Sequence, residues 1–278
     1  MSRHTYRCPM RWGDMDAQAH VNNAVYLDYL QEARVHFLLA GPPELAHMLD
    51  AGVLVVSHQV EYLAPVAFGD RPLAIELWID RVGGSRFVVG YDVFDGETLA
   101  ARARTAVVPF DLAANALRRL TNEERQALGG HLDPAPPLRS LAKFRWTGPD
   151  HVHPFPVRWS DLDSYGHVNN VKFYDYVQEA RIALVLETLG WRSEDTWLVV
   201  RQDLEYLQPL DFRLDPYEVR TAVTAIGNRS FTLGAEIRDP ASQTVYATAR
   251  TVLVAPAPLG ESQRAALQSR MPATLAAA

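Results

Sequence analysis

The residues best suited to chemistry in this sequence are Asp, His and Asn side chains in a segment that occurs twice. Residues 11–34 read RWGDMDAQAHVNNAVYLDYLQEAR, and residues 158–181 read RWSDLDSYGHVNNVKFYDYVQEAR. The two segments align without a gap at an offset of 158 − 11 = 147 residues. A hydrophobic core does not need the polar letters that the copies share. Their retention therefore indicates that both copies carry out the same chemistry.

Two carboxylates are the strongest catalytic candidates. Asp16 and Asp163 each precede the predicted start of a helix, where negative charge is stabilised and backbone N–H groups lack helical partners. Such N–H groups can stabilise the oxyanion that forms when a carbonyl is attacked. A carboxylate beside them can deprotonate water, or attack the carbonyl itself and form an anhydride. This pattern predicts acyl transfer.

A histidine and two asparagines accompany the carboxylate in each copy. The histidine could orient the substrate carbonyl or share a proton with the carboxylate. The first asparagine could bind the carbonyl or the attacking water, and the second is a candidate for substrate binding. These residues are His20, Asn22 and Asn23 in the first copy and His167, Asn169 and Asn170 in the second.

The same residues also allow other interpretations. Asp14, Asp16 and Asn22 could serve only as turn and cap residues, although the duplication favours a functional role. The spacing Asp-x-Asp-x-x-x-His offers metal ligands, but no second His or carboxylate cluster recurs, so no metal is predicted. A Ser or Cys nucleophile is disfavoured: no Gly-x-Ser-x-Gly occurs, and Cys8 aligns with Phe155.

Four residues outside the polar loop are also candidates for substrate contacts. Tyr26 and Phe173 lie on a helix face that most simply packs in the core and could partly line an acyl slot. Arg86 and Arg229 lie at predicted hairpin turns and could meet a phosphate. The simpler interpretation is that both arginines lie on the solvated surface, because no glycine-rich phosphate loop is present.

Composition narrows the class of protein. The chain has 278 residues, 48% of them hydrophobic and 22% charged, with a net charge of −6 and one cysteine. The acidic balance argues against nucleic-acid binding. The single cysteine excludes a disulfide within the chain and fits a reducing cytoplasm. No run of about 18 apolar residues predicts a membrane span, and the N-terminal residues do not resemble a signal peptide.

The same order of elements is predicted in both halves: a strand, a polar loop, a long helix and an antiparallel meander. The helices are expected to begin near Asn22 or Asn23 and at residue 169, because Asn is a good N-cap. Gly41-Pro42-Pro43 should end the first helix. The predicted strands are 3–12, 53–63, 72–82, 86–94 and 99–110, then 152–159, 197–207, 217–226, 230–238 and 244–254. Short closing helices are predicted at 123–128 and 262–267.

The repeat also predicts the domain organisation. The expected division is a first domain at 1–130, a proline-rich connector at 131–150 and a second domain at 151–278. One helix packed on one sheet in each half gives an α+β class. The two halves could pair as a pseudo-two-fold dimer within the chain.

Asp-x-Asp-x-x-x-His-Val-Asn-Asn, followed by an aromatic helix ending Glu-Ala-Arg, resembles the hotdog-fold acyl thioesterases, most closely the 4-hydroxybenzoyl-CoA thioesterase-like group. The resemblance covers both halves and implies two tandem hotdog domains with sites between them. It places the family's catalytic carboxylate at Asp16 and Asp163. Plant acyl-carrier-protein enzymes of this group carry Asn two residues later, where this chain has Gln18 and Tyr165.

The resemblance implies an acyl-CoA thioesterase that forms free acid and CoA. Coenzyme A would be part of the substrate, no other cofactor is implied, and double-hotdog units could associate further. Three alternatives remain on the same fold. They are a non-catalytic acyl-CoA-binding or sensing module, an acyl-carrier-protein thioesterase and a hydratase.

Overall fold

The computed structural model describes residues 3–147, 151–190 and 197–277. The chain divides into two compact units, Met1–Leu138 and Arg139–Ala278. The division falls within the predicted connector, of which residues 148–150 lie outside the described part. Each unit contains one copy of the repeated segment.

The first unit places a long helix against a five-stranded antiparallel sheet. Its sheet order is β1-β3-β4-β5-β2, and every neighbouring pair is antiparallel. The elements are β1 (His4–Cys8), a 3-10 turn (Trp12–Asp14), α1 (Val25–Ala40), α2 (Pro43–Ala51), β2 (Val53–Tyr62), β3 (Leu73–Val82), β4 (Phe87–Asp95), β5 (Thr98–Asp111), β6 (Ala116–Leu117) and α3 (Asn122–Gly129).

The second unit repeats this plan. Its main sheet has the order β8-β10-β11-β12-β9, also antiparallel throughout, and β7 pairs with β13 separately. The elements are β7 (Phe144–Thr147), β8 (His151–Phe155), a 3-10 turn (Trp159–Asp161), α4 (Lys172–Leu189), β9 (Leu198–Tyr206), β10 (Tyr217–Ile226), β11 (Ser230–Arg238), β12 (Val245–Val254), α5 (Glu261–Gln268) and β13 (Thr274–Ala277).

The core of each unit lies between the long helix and the sheet. In the first unit Leu30 and Phe37 of α1 and Leu77 of β3 are almost fully buried. Burial of one such side chain contributes roughly 1.5–3 kcal/mol, so the apolar helix face fixes the helix on the sheet. The meander is closed by tight turns such as Asp95-Gly96, where Gly96 has a φ of +61°. The predicted α+β architecture and its antiparallel strands are confirmed.

Several element boundaries differ from the sequence prediction, including the starts of both long helices and the ends of β1 and β8, and one helix was missed. The long helix begins at Val25, because the Asn22 side chain accepts a hydrogen bond from the Ala24 N–H at 2.9 Å and forms a turn ahead of the helix. The first strand ends at Cys8, since the chain next enters the 3-10 turn. Helix α2 was not predicted at all. The prolines that end α1 also begin α2, because a proline at the first helical position gives up no hydrogen bond.

Candidate active site

Each repeated polar segment folds into a tight turn between the 3-10 turn and the long helix, here called the motif turn (14–22 and 161–169). In the first copy Met15 pairs with Val21. The Asp16 N–H donates to the His20 carbonyl at 2.8 Å, and the Asn22 N–H donates to the Asp14 carbonyl at 2.9 Å. The second copy repeats all three contacts, with distances of 2.9 and 2.8 Å for the two hydrogen bonds. The repeated sequence therefore encodes one rigid geometry twice.

The motif turn fixes one oxygen of each candidate catalytic carboxylate. Asp16 Oδ1 accepts hydrogen bonds from the backbone N–H groups of Gln18 and His20, at 2.8 and 3.3 Å. Asp163 Oδ1 accepts from the Tyr165 N–H at 2.9 Å. Within the described residues, Oδ2 of either Asp accepts no hydrogen bond. Each half-buried carboxylate thus has one held oxygen and one available for water or substrate.

The carboxyl group of Asp163 has an altered proton affinity. Burial raises the pKa of Asp163 and outweighs the Tyr165 N–H and the nearby His167, both of which act to lower it. A raised pKa makes this carboxylate a stronger base than an ordinary Asp. A general base works best when its pKa approaches the working pH.

The two histidines lie at the same point of the turn but have different neighbours. His20 forms an isolated backbone bridge with Ala67. His167 has its Nε2 atom 3.9 Å from the carboxylate of Asp211. Asp211 occupies the position equivalent to Ala67, since 211 − 144 = 67 in the downstream alignment of the copies. Among the described residues, a carboxylate therefore lies opposite the histidine in the second copy and not in the first.

The first asparagine of each copy uses only the oxygen of its side-chain amide within the turn. Asn22 Oδ1 accepts the Ala24 N–H, and Asn169 Oδ1 accepts the Val171 N–H at 3.3 Å. Neither Nδ2 group donates a hydrogen bond to any residue in the described part of the chain. The side-chain oxygen thus shapes the start of the helix, while the NH₂ group is available for a substrate oxygen.

The first Asp of each pair holds the turn and does not face outward. Asp14 is buried and accepts hydrogen bonds from the Arg11 N–H at 2.8 Å, the Arg11 Nε at 3.0 Å and the Tyr29 hydroxyl at 2.6 Å. Burial acts to raise the pKa of Asp14, but the Arg11 and Tyr29 hydrogen bonds outweigh it and lower the pKa. The second copy repeats the arrangement with Asp161, Arg158 and Tyr176.

A second tyrosine holds the start of the helix from the sheet side. The Tyr62 hydroxyl donates to the Asn23 carbonyl at 2.7 Å, and the Tyr206 hydroxyl donates to the Asn170 carbonyl at 2.6 Å. The sequence alone predicts only core packing for Tyr29 and Tyr176, as part of the apolar helix face, and assigns no role to Tyr62 or Tyr206. The available signal was their identity in both copies, because Tyr-x-x-x-x-Arg and Glu-Tyr-Leu each occur twice.

The remaining substrate-contact candidates lie away from the motif turn. Tyr26 and Phe173 are buried and pack edge-on against Tyr62 and Tyr206, at ring distances of 5.3 and 5.0 Å. Arg229 donates to the carbonyls of Ala255 and Pro256. Arg86 is exposed in the turn before β4. Neither arginine contacts the motif turn of its own unit in the part of the chain that is described.

One position in the motif turn differs in backbone strain between the copies. Ala19 adopts a left-handed conformation with φ +62°, and the equivalent residue in the second copy is Gly166 with φ +82°. A residue with a Cβ pays roughly 1–2 kcal/mol in this region, whereas glycine does not. The first copy therefore keeps a strained residue next to His20.

This difference predicts opposite effects of exchanging the two residues. Gly166→Ala should lower the free energy of unfolding by about 1 kcal/mol, although a Cβ at Gly166 meets no atom within 4 Å. Ala19→Gly should leave it unchanged or raise it by up to about 1 kcal/mol. Urea denaturation of both variants measures this. Equal destabilisation by both substitutions would contradict the strain argument.

The fold and the site define a class of protein in which a helix packed on an antiparallel sheet occurs twice, each time with one motif turn. The family model for the thioesterase-like superfamily matches residues 10–139 and 157–255, and the chain belongs to this superfamily. The predicted tandem hotdog fold is confirmed by solved structures. The putative oleoyl thioesterase of Lactobacillus plantarum has a TM-score of 0.75 at 13% identity, covering 91% of this chain and 96% of that one. The 12:0-ACP thioesterase of Umbellularia californica has a TM-score of 0.74 at 18% identity, covering 91% and 93%.

A curated relative matches at the sequence level. The chloroplastic palmitoyl-acyl carrier protein thioesterase of Cuphea hookeriana is 26% identical over 179 residues, which are 58% of this chain and 43% of that protein. The chain thus spans less than half the length of this relative.

Among the described residues no helix is long and apolar enough to cross a membrane, and no group of three or more His, Cys, Asp or Glu could hold a metal ion.

Proposed function

We propose that this protein is a thioester hydrolase that acts on acyl-CoA and forms a free acid and CoA. The observation that carries the proposal is the duplicated carboxylate, Asp16 and Asp163, with one oxygen held by backbone N–H groups and the other available. Family membership supports the reaction class. The cysteine usage described above supports a cytoplasmic setting.

The proposed reaction follows from the roles of the turn residues. The available oxygen of Asp16 or Asp163 takes a proton from water, and the water oxygen attacks the thioester carbon. The Nδ2 groups of Asn22 and Asn169 and the N–H groups at the helix start stabilise the developing oxyanion. The C–S bond then breaks, and the thiolate leaves with a proton returned from the carboxyl group or the histidine. Direct attack by the carboxylate, giving an anhydride that water hydrolyses, uses the same groups.

The acyl group of the substrate could be carried by CoA or by an acyl carrier protein. Gln18 and Tyr165 replace the asparagine typical of the plant acyl-carrier-protein enzymes, which favours CoA. The match to an enzyme named for palmitoyl-acyl carrier protein favours the carrier protein as a second candidate. A non-catalytic acyl-CoA-binding module is a third, and it would bind without turnover.

The test is release of free thiol from matched substrates. Purified protein is assayed with short- to long-chain acyl-CoAs, an aromatic acyl-CoA and the same acyl groups on a carrier protein. Thiol release from the CoA series supports the proposal. Release only from the carrier-protein series supports the second candidate. Binding by calorimetry with no release from either series would overturn both and leave the binding module.

The raised pKa of Asp163 predicts the pH dependence of the second site. Since the base must be ionised, kcat/KM of an Asp16→Asn variant should fall as pH decreases through the pKa of Asp163, which lies above the usual Asp value of 3.8. The acidic limb of the profile should therefore have its midpoint above that value. An Asp163→Asn variant in the same assay reports the first site as the control. A midpoint at or below 3.8 in the Asp16→Asn variant would contradict the assignment.

A further inference from the structure

Each unit exposes an aromatic pair beside its motif turn. Trp12 is 76% exposed and meets Phe68 edge-on, with 5.2 Å between ring centres and 85° between ring planes. Trp159 is 75% exposed and meets Phe212 at 5.5 Å and 90°. The pairs are equivalent in the repeat, since 159 − 12 = 147 and 212 − 68 = 144. An indole so exposed adds little to a core, so its presence in both copies needs another reason.

The aromatic pair is continuous with the proposed catalytic turn. Trp12 opens the 3-10 turn that ends at Asp14, and Phe68 directly follows Ala67, the residue that bridges His20. The Val21 N–H donates to the Val66 carbonyl at 2.8 Å, and the second copy repeats this contact between Val168 and Leu210 at 2.9 Å. The same short segment therefore carries the histidine's neighbour and the aromatic partner of the tryptophan.

A fixed cationic group stands next to each tryptophan in the chain. The Arg11 side chain is 71% exposed, yet its Nε and Nη2 atoms are held by Asp14. Its Nη1 group donates no hydrogen bond to any described residue. Arg158 is 63% exposed and is held by Asp161 in the same way. A guanidinium that is already immobilised loses little further entropy when its free edge binds a phosphate.

We propose that Trp12 with Arg11, and Trp159 with Arg158, bind the phosphopantetheine arm of the thioester substrate. The arm carries a gem-dimethyl group and two amides that suit an indole face and its N–H donor, and a phosphate that suits the guanidinium edge. The inference rests on the proposed function and adds the substrate handle to it. CoA and acyl-carrier protein share this arm, so the subsite serves either carrier.

The proposal is tested with thioesters that differ only in the handle. One acyl group is attached to CoA, to phosphopantetheine, to pantetheine and to N-acetylcysteamine, and to a carrier protein. The test variant is the double substitution of Trp12→Ala and Trp159→Ala. The control is Leu117→Ala, which truncates a side chain that is 68% exposed in the short strand β6. In wild type, KM should be lower for phosphopantetheine than for pantetheine thioesters.

The double tryptophan variant should raise KM for the CoA and phosphopantetheine thioesters about tenfold, the usual scale for loss of a tryptophan anchor. KM for the N-acetylcysteamine thioester and the constants of Leu117→Ala should not change. An equal rise with carrier-protein substrate identifies that carrier as a second source of the arm. Three results would overturn the subsite. They are an equal rise in KM for the N-acetylcysteamine thioester, no rise in KM for any thioester, and a change in oligomeric state that accounts for the rise. If wild type cleaves none of the thioesters, the proposed function itself fails.

Discussion

Replacing both Asp16 and Asp163 with Asn should reduce kcat for thioester hydrolysis about 10³-fold, within the range for loss of a positioned general base. Asn keeps the shape of Asp and its Oδ1 acceptor, so the backbone N–H groups of the motif turn keep their partner. What is lost is the second oxygen as a base or nucleophile. Thiol release under saturating substrate measures the effect.

The single variants determine how the two copies share the work. Asp16→Asn and Asp163→Asn should each retain part of the wild-type rate, because each unit has a complete motif turn of its own. Asp50→Asn, an exposed substitution in α2, is the matched control and should be silent. Full loss of activity in one single variant would assign the other copy a non-catalytic role. Near-normal turnover in the double variant would remove these residues from the mechanism.

The sequence was sufficient for the fold because the hydrophobic pattern and the turn residues agreed with each other. Alternating burial occurs in the equivalent strands β1 and β8 of the two copies, and Asp95-Gly96 closes its hairpin as expected. Helix α2 was missed because Pro42-Pro43 has two opposite meanings. Proline ends the helix before it and is also favourable at the first position of the next helix, and only the packed structure decides between them.

The candidate site was predictable in its residues but not in their division of labour. Asp14 and Asp16 are two residues apart and chemically identical, so no local pattern separates the buried anchor from the half-free carboxylate. The difference comes from the Tyr29 hydroxyl, which reaches Asp14 from the helix. The asymmetry between the copies at Ala67 and Asp211 was equally hidden, because it depends on which side chain faces the histidine across the turn.

Truncating the anchor should be the most destabilising single change in the motif turn. Asp14→Ala leaves the buried Tyr29 hydroxyl without its acceptor and releases the Arg11 N–H and side chain. Hydrogen bonds to a charged group contribute about 1.5–3 kcal/mol each, and unpaired partners add to the cost, so the expected loss in the free energy of unfolding is about 3 kcal/mol. Asp161→Ala should cost a similar amount. Tyr29→Phe, which removes one hydrogen bond to the carboxylate and keeps the others, should cost about 1.5 kcal/mol, the lower end of that range. Urea denaturation at neutral pH compares the three variants.

The pH dependence separates the charge of Asp14 from its packing. The pKa of Asp14 is lowered in the folded state, so its contribution is complete above the unfolded value near 3.8 and is lost as pH falls through the lower folded pKa. The stability gap between wild type and Asp14→Asn should therefore be constant near neutrality and shrink only in strong acid. A gap that does not change with pH would mean that the carboxylate acts by shape alone.

Because the Asp14 carbonyl also accepts the Asn22 N–H, any loosening of this anchor should reach the turn that holds Asp16. Folded Asp14→Asn should accordingly lose kcat while its KM stays near the wild-type value.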